Sequence, residues 1–112
     1  MDGTVIRSFI RSKLRLSVLR NLFDVFPGEL RLSSLSGRAF SDPSSVTLAI
    51  RGGGIRYSHD LSLLGLGLVE ERKTHKGVYY SICPDRIADV NEILLVARSF
   101  DGREKNFEVV IG

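Results

Sequence analysis

Apolar residues return every three or four positions between Ile6 and Phe26: Ile6, Phe9, Ile10, Leu14, Val18, Leu19, Leu22, Phe23 and Phe26. That is the period of an amphipathic helix. Ser12 is a candidate N-cap within the stretch, so it reads either as two short helices or as one long one. Pro27-Gly28 ends the pattern in both cases. The alternation Glu29-Leu30-Arg31-Leu32 predicts a stub of strand, after which Ser33 or Ser34 caps a short helix running to about Phe40. Ser41-Asp42-Pro43-Ser44-Ser45 then sets a turn and a helix start. Asp42 is the cap, and Pro43 sits at the first helical position, where its missing N–H costs nothing. This third helix runs from Pro43 to about Arg51 and stops at Gly52-Gly53-Gly54, which tolerate the left-handed backbone of a helix end.

The pattern changes after the glycines. Tyr57 to Leu64 predicts another short helix, and Leu66-Gly67-Leu68-Val69 opens an extended run through Glu71 and Arg72. Thr74-His75-Lys76-Gly77 reads as a hairpin loop. Val78-Tyr79-Tyr80-Ser81-Ile82, rich in β-branched and aromatic residues, is its returning strand. The product is a two-stranded wing with a basic tip. Pro84 begins a helix to about residue 98 in which Ile87, Val90, Leu94 and Ala97 are spaced three, four and three apart, the a/d seam of about two heptads. Such a seam fits dimerisation with a second copy or packing on the chain's own core. Residues 99–112 read as a tail: a polar turn, then a short strand from Phe107 to Ile111.

Composition narrows the picture. With 112 residues, 43% of them hydrophobic, the chain fits one domain over residues 1–112. The net charge of +3 is modest, but its distribution is uneven. Arg7, Arg11, Lys13, Arg15 and Arg20 fall in an early stretch without an acid, whereas Asp85 to Glu108 is acid-rich. One positive face for a polyanion is the implied arrangement. Cys83 has no second cysteine to pair with, and no run approaches the roughly 20 apolar residues that cross a bilayer, so a cytoplasmic setting is expected. An enzyme is not expected, because no nucleophile–base pair or set of tuned carboxylates is visible. His59, His75 and Cys83 fall in different elements, which argues against a metal site or other cofactor. The glycine clusters lack the Gly-Lys-Ser/Thr ending of a phosphate loop.

The order helix, strand stub, helix, turn, helix, hairpin, helix is that of a winged helix-turn-helix: an α+β fold, mainly α, with a C-terminal dimerisation helix. Pro43 to Arg51 is its recognition helix, turning Val46, Ala49 and Ile50 inward and leaving Ser44, Ser45, Thr47, Leu48 and Arg51 outward. Hydroxyls and an arginine suit phosphate oxygens and guanine edges, and Leu48 suits a thymine methyl. Arg72, Lys73, His75 and Lys76 at the wing tip suit phosphates, with Arg56 as a further candidate. The partner expected is double-stranded DNA; the rival is a protein partner docked on the same fold.

Three segments also carry a family resemblance: Ser12 to Leu22 as the opening helix, Pro43-Ser44-Ser45-Val46 at the recognition helix, and Leu66-Gly67-Leu68-Val69-Glu70 leading to Val78-Tyr79-Tyr80. With them the chain resembles the ArsR-like and MarR-like winged helix-turn-helix regulators, especially small archaeal ones. The resemblance implies transcription regulation by a homodimer on a near-palindromic operator, with recognition helices in successive major grooves. The segment Gly52 to Asp60 is longer than those families usually have. No residue points to a particular small-molecule effector.

Overall fold

The structure, a computed structural model, describes residues 3–53 and 61–111, with side chains as far as Ser99. Two helices open the chain, α1 (Gly3–Ile10) and α2 (Lys13–Val25). Ser12 decides for two, because its hydroxyl accepts the Arg15 backbone N–H and starts α2 anew. Strand β1 (Leu30–Arg31) follows, then α3 (Leu32–Arg38) and α4 (Pro43–Arg51). The serine cap expected for α3 is not there. The helix begins two or three residues earlier, at Leu32, with Arg31 at the cap position making no side-chain bond. Leu32 packs on the core, and so fixes the start.

The turn between α3 and α4 is closed by backbone bonds, Ser41 N–H to Ser36 O at 3.1 Å and Phe40 N–H to Gly37 O at 3.3 Å. This is a Schellman-type stop that places Phe40 in the left-handed region at φ 52°. Asp42 caps α4 as its sequence predicts, accepting from the Ser45 N–H. Gly52, at φ 80°, ends it by donating to Leu48 O.

Leu61 is in a 3-10 turn and residues 62–68 form bends and turns; the rest of the predicted Tyr57 to Leu64 helix, residues 57–60, lies outside the described residues. Strands β2 (Val69–Thr74) and β3 (Gly77–Ile82) pair antiparallel from Val69 with Ile82 to Thr74 with Gly77. The predicted strand stub joins the two-stranded wing as a third strand, a pairing not expected from sequence, because β1 pairs with β3, Leu30 opposite Tyr80 and Arg31 opposite Tyr79. A single 3-10 turn at Pro84–Arg86 leads into α5 (Ile87–Ile111). The strand expected at Phe107 to Ile111 is instead the end of this helix. One glycine, Gly102, costs a helix only about 1 kcal/mol, and no proline stops it.

The core joins all these layers. Val18, Leu19 and Leu22 of α2 meet Leu35, Val46, Ile50, Leu68, Tyr80 and Ile82, with Val90 and Ile93 of α5 on the far side, all almost fully buried. The seam predicted for a second copy is covered here by the chain itself. Val90, Leu94 and Ala97 are buried and Ile87 packs on the same cluster. An amphipathic helix has one apolar stripe, and this domain's core takes it. Among the described side chains of α5, the large exposed apolar ones are Leu95 and Val96, on its other side.

Candidate nucleic-acid interface

The geometry of α4 follows from its sequence. Val46, Ala49 and Ile50 are fully buried against α2 and α3, which turns Ser44 and Leu48 to solvent one helical turn apart, with Thr47 half-buried beside them. Two of its hydroxyls are engaged locally: Ser45 Oγ donates to Asp42 Oδ1 at 2.7 Å, and Thr47 Oγ1 donates to Pro43 O at 2.8 Å. Each oxygen keeps acceptor capacity for an incoming donor. The Ser45 hydroxyl and N–H hold the Asp42 carboxyl below its usual range.

Arg51 ends the same exposed stripe, but it has a partner inside the chain. Its Nε donates to Glu71 Oε2 of β2 at 2.7 Å, and Tyr80 joins the pair. Burial raises the Glu71 carboxyl, but the hydrogen bonds from Arg51 and Tyr80 outweigh it and leave it below its ordinary value. Burial, with the bond to Glu71, pushes the Tyr80 hydroxyl up to about 12. Lys73 Nζ stands 3.5 Å from the other Glu71 oxygen. This cluster fastens the base of the wing to the end of α4, so Arg51 is committed to anchoring as well as lying on the outward stripe.

The wing residues divide in two. Lys73, His75 and Lys76 are exposed at and beside the two-residue turn. Arg72 is instead drawn along the sheet: it pairs with Glu29 and its guanidinium lies 4.6 Å from the Tyr79 ring. Arg31 takes the other side of that ring at 5.5 Å and donates to the Lys76 carbonyl. The rung Arg31–Tyr79–Arg72 stiffens the hairpin by cation–π contact. Arg31 was missed from sequence because its role depends on β1 pairing with β3, which no local pattern announces. Glu71 was missed because a glutamate in a strand reads as solvated. Arg56 and His59 lie outside the described residues. Cys83 is half-buried, and burial and Glu70 push its thiol up.

A helix pair joined by a tight turn, with the second helix's outer face beside a hairpin with a cationic tip, defines a winged-helix domain. The comparison with solved structures agrees. The chain matches the YusO protein of Bacillus subtilis with a TM-score of 0.60 at 20% identity over 92% of this chain and 69% of that one, a likeness of winged-helix fold. Within that fold, the chain belongs to the EarA-like family, whose pattern it matches over residues 5–93. It is also 43% identical over 70 residues to the uncharacterized protein MJ0905 of the archaeon Methanocaldococcus jannaschii. That match covers 62% of this chain and 63% of the relative's own length. Among the described residues, no helix is long and apolar enough to cross a membrane.

Proposed function

We propose that this chain is a sequence-specific, double-stranded-DNA-binding transcription regulator of the cytoplasm, and not an enzyme. The observation that carries the reading is the outward stripe of α4, Ser44, Thr47 and Leu48, backed by the buried Val46, Ala49 and Ile50 and set beside a hairpin tipped by Lys73, His75 and Lys76. The helix lies in the major groove, where Ser44 and Thr47 meet base edges and Leu48 meets a thymine methyl. Lys73, His75 and Lys76 hold phosphates, which position without reading. Arg51 keeps the two parts in fixed relation through the bond from its Nε to Glu71. Fluorescence anisotropy with duplex DNA from about 50 to 200 mM salt tests the reading: log affinity falls steeply and linearly with log salt. Absence of binding at the lowest salt overturns it.

The regulator acts as a homodimer in this proposal. Because the Val90, Leu94 and Ala97 stripe is covered within the chain, the second copy docks on the outer side of α5, where Leu95 and Val96 are exposed. A second reading, a protein-interaction module, is favoured by Phe40, 96% exposed at the turn between α3 and α4. Lone exposed aromatics of this kind anchor protein interfaces. Retention of DNA affinity in Phe40→Ala speaks for the first reading, because the second assigns DNA no role.

A further inference from the structure

The interface above leaves the cations of the α1–α2 junction unused. Arg11 and Lys13 are exposed and line a surface groove of about 820 Å³, whose walls carry the hydroxyl-bearing residues Ser8, Ser12, Ser41 and Ser45. Arg15 forms its floor, donating to Ser8 O at 2.7 Å and to Leu61 O, with its guanidinium 4.6 Å from the Phe9 ring. That residue is 5% exposed and holds the junction in shape. Among the described residues, none lining the groove is acidic. Asp42, the neighbouring acid, faces the Ser45 N–H and hydroxyl.

Ser45 belongs to α4, so this groove adjoins the start of the recognition helix. Pro43, two residues earlier and so about 200° around the helix, lines a different cavity of about 280 Å³ with Arg31, Ser33 and the wing residues Gly77 and Val78. The start of α4 therefore has the wing on one flank and the Arg11–Lys13 groove on the other. A helix about 10–12 Å across fills a major groove about 12 Å wide, and each of its flanks then faces one of the two phosphate strands.

We infer that Arg11 and Lys13 take backbone phosphates of the strand opposite the one held by the wing, with the Ser12 hydroxyl, which accepts the Arg15 N–H and keeps its own proton, as an auxiliary donor. This rests on the DNA-binding reading above. Because both cations are exposed, removing them leaves the core intact.

The test is anisotropy of the full chain on one duplex across a salt series, comparing the wild type with R11A/K13A, K76A and the charge-matched control R20A/R98A, whose cations lie between α2 and α5. Loss of two phosphate contacts lowers the slope of log affinity against log salt by about 1.8. The result expected is that loss in R11A/K13A, little change in R20A/R98A, and restoration in the charge-keeping R11K/K13R. An equal loss in R20A/R98A marks a net-charge effect and overturns the inference. An unchanged slope in R11A/K13A overturns it too, and if K76A still lowers the slope, the DNA reading survives alone. No binding by the wild type at the lowest salt removes both. A parallel calorimetric titration with inorganic phosphate separates the sources: tight binding lost in R11A/K13A, with the DNA slope unchanged, assigns the groove to a free anion and overturns the backbone contact.

Discussion

Replacing Glu71 with Ala isolates the joint between the wing and α4. The Glu71 side chain is 15% exposed and accepts from Arg51 Nε at 2.7 Å and from Tyr80, while Arg51 keeps 39% exposure. A hydrogen bond to a charged group contributes about 1.5–3 kcal/mol, and the exposure of Arg51 argues for the lower part of that range. The Tyr80 hydroxyl, in a side chain 1% exposed, loses an acceptor as well. Together these give about 2 kcal/mol at neutral pH, or roughly 8 °C in Tm for a domain of this size. Far-UV circular dichroism in a urea series measures it. The pH dependence follows from the sign of the shift. The folded Glu71 carboxyl lies below its ordinary 4.5, so its contribution is complete above that value and disappears as pH falls through the folded value. The gap between wild type and Glu71→Gln should close on acidification below about pH 4.5. A Glu71→Ala variant within about 0.5 kcal/mol of wild type at pH 7, beyond the scatter of neutral surface changes, refutes the joint.

Other perturbations test other parts of the fold. Phe40→Asn should raise stability by about 0.5–1 kcal/mol, because Phe40 holds a left-handed backbone and is 96% exposed; an unchanged urea midpoint would show that the turn is unstrained. Ile50→Ala, at a fully buried position, should cost about 2–4 kcal/mol, and a smaller loss would mean that α4 is not packed as described. Leu94→Arg should unfold the chain by burying a charge, whereas Leu95→Arg should keep the fold and yield monomers in sedimentation equilibrium. A folded Leu95→Arg dimer would move the interface elsewhere.

Much of this architecture was legible in periodicity and punctuation. The three-and-four spacing through Leu22, the Asp42-Pro43 start, the glycine stop and the Thr74 to Gly77 loop all act through local physics, and each stands where its residues place it. What escaped was non-local. The strand stub was legible, but its partner was not, since Leu30 and Arg31 pair with Tyr80 and Tyr79, about fifty residues away. The heptad spacing on α5 marked an apolar stripe correctly but not what covers it, since a core and a partner ask for the same residues. The candidate interface shows the same divide. The outward set on α4 follows from which residues turn inward, whereas the engagement of Arg51 by Glu71 and of Arg72 by Glu29 required the sheet to be in place.

The central claim is that the outward face of α4 and the wing tip meet duplex DNA. A 1H–15N correlation spectrum of the labelled chain, titrated with duplex DNA at about 50 mM salt, tests it residue by residue. The account predicts shifts at Ser44, Thr47 and Leu48 and at Lys73 to Gly77, with Ala88 and Glu92 on the outer side of α5 unmoved. Binding that leaves the α4 resonances in place while shifting others would contradict it.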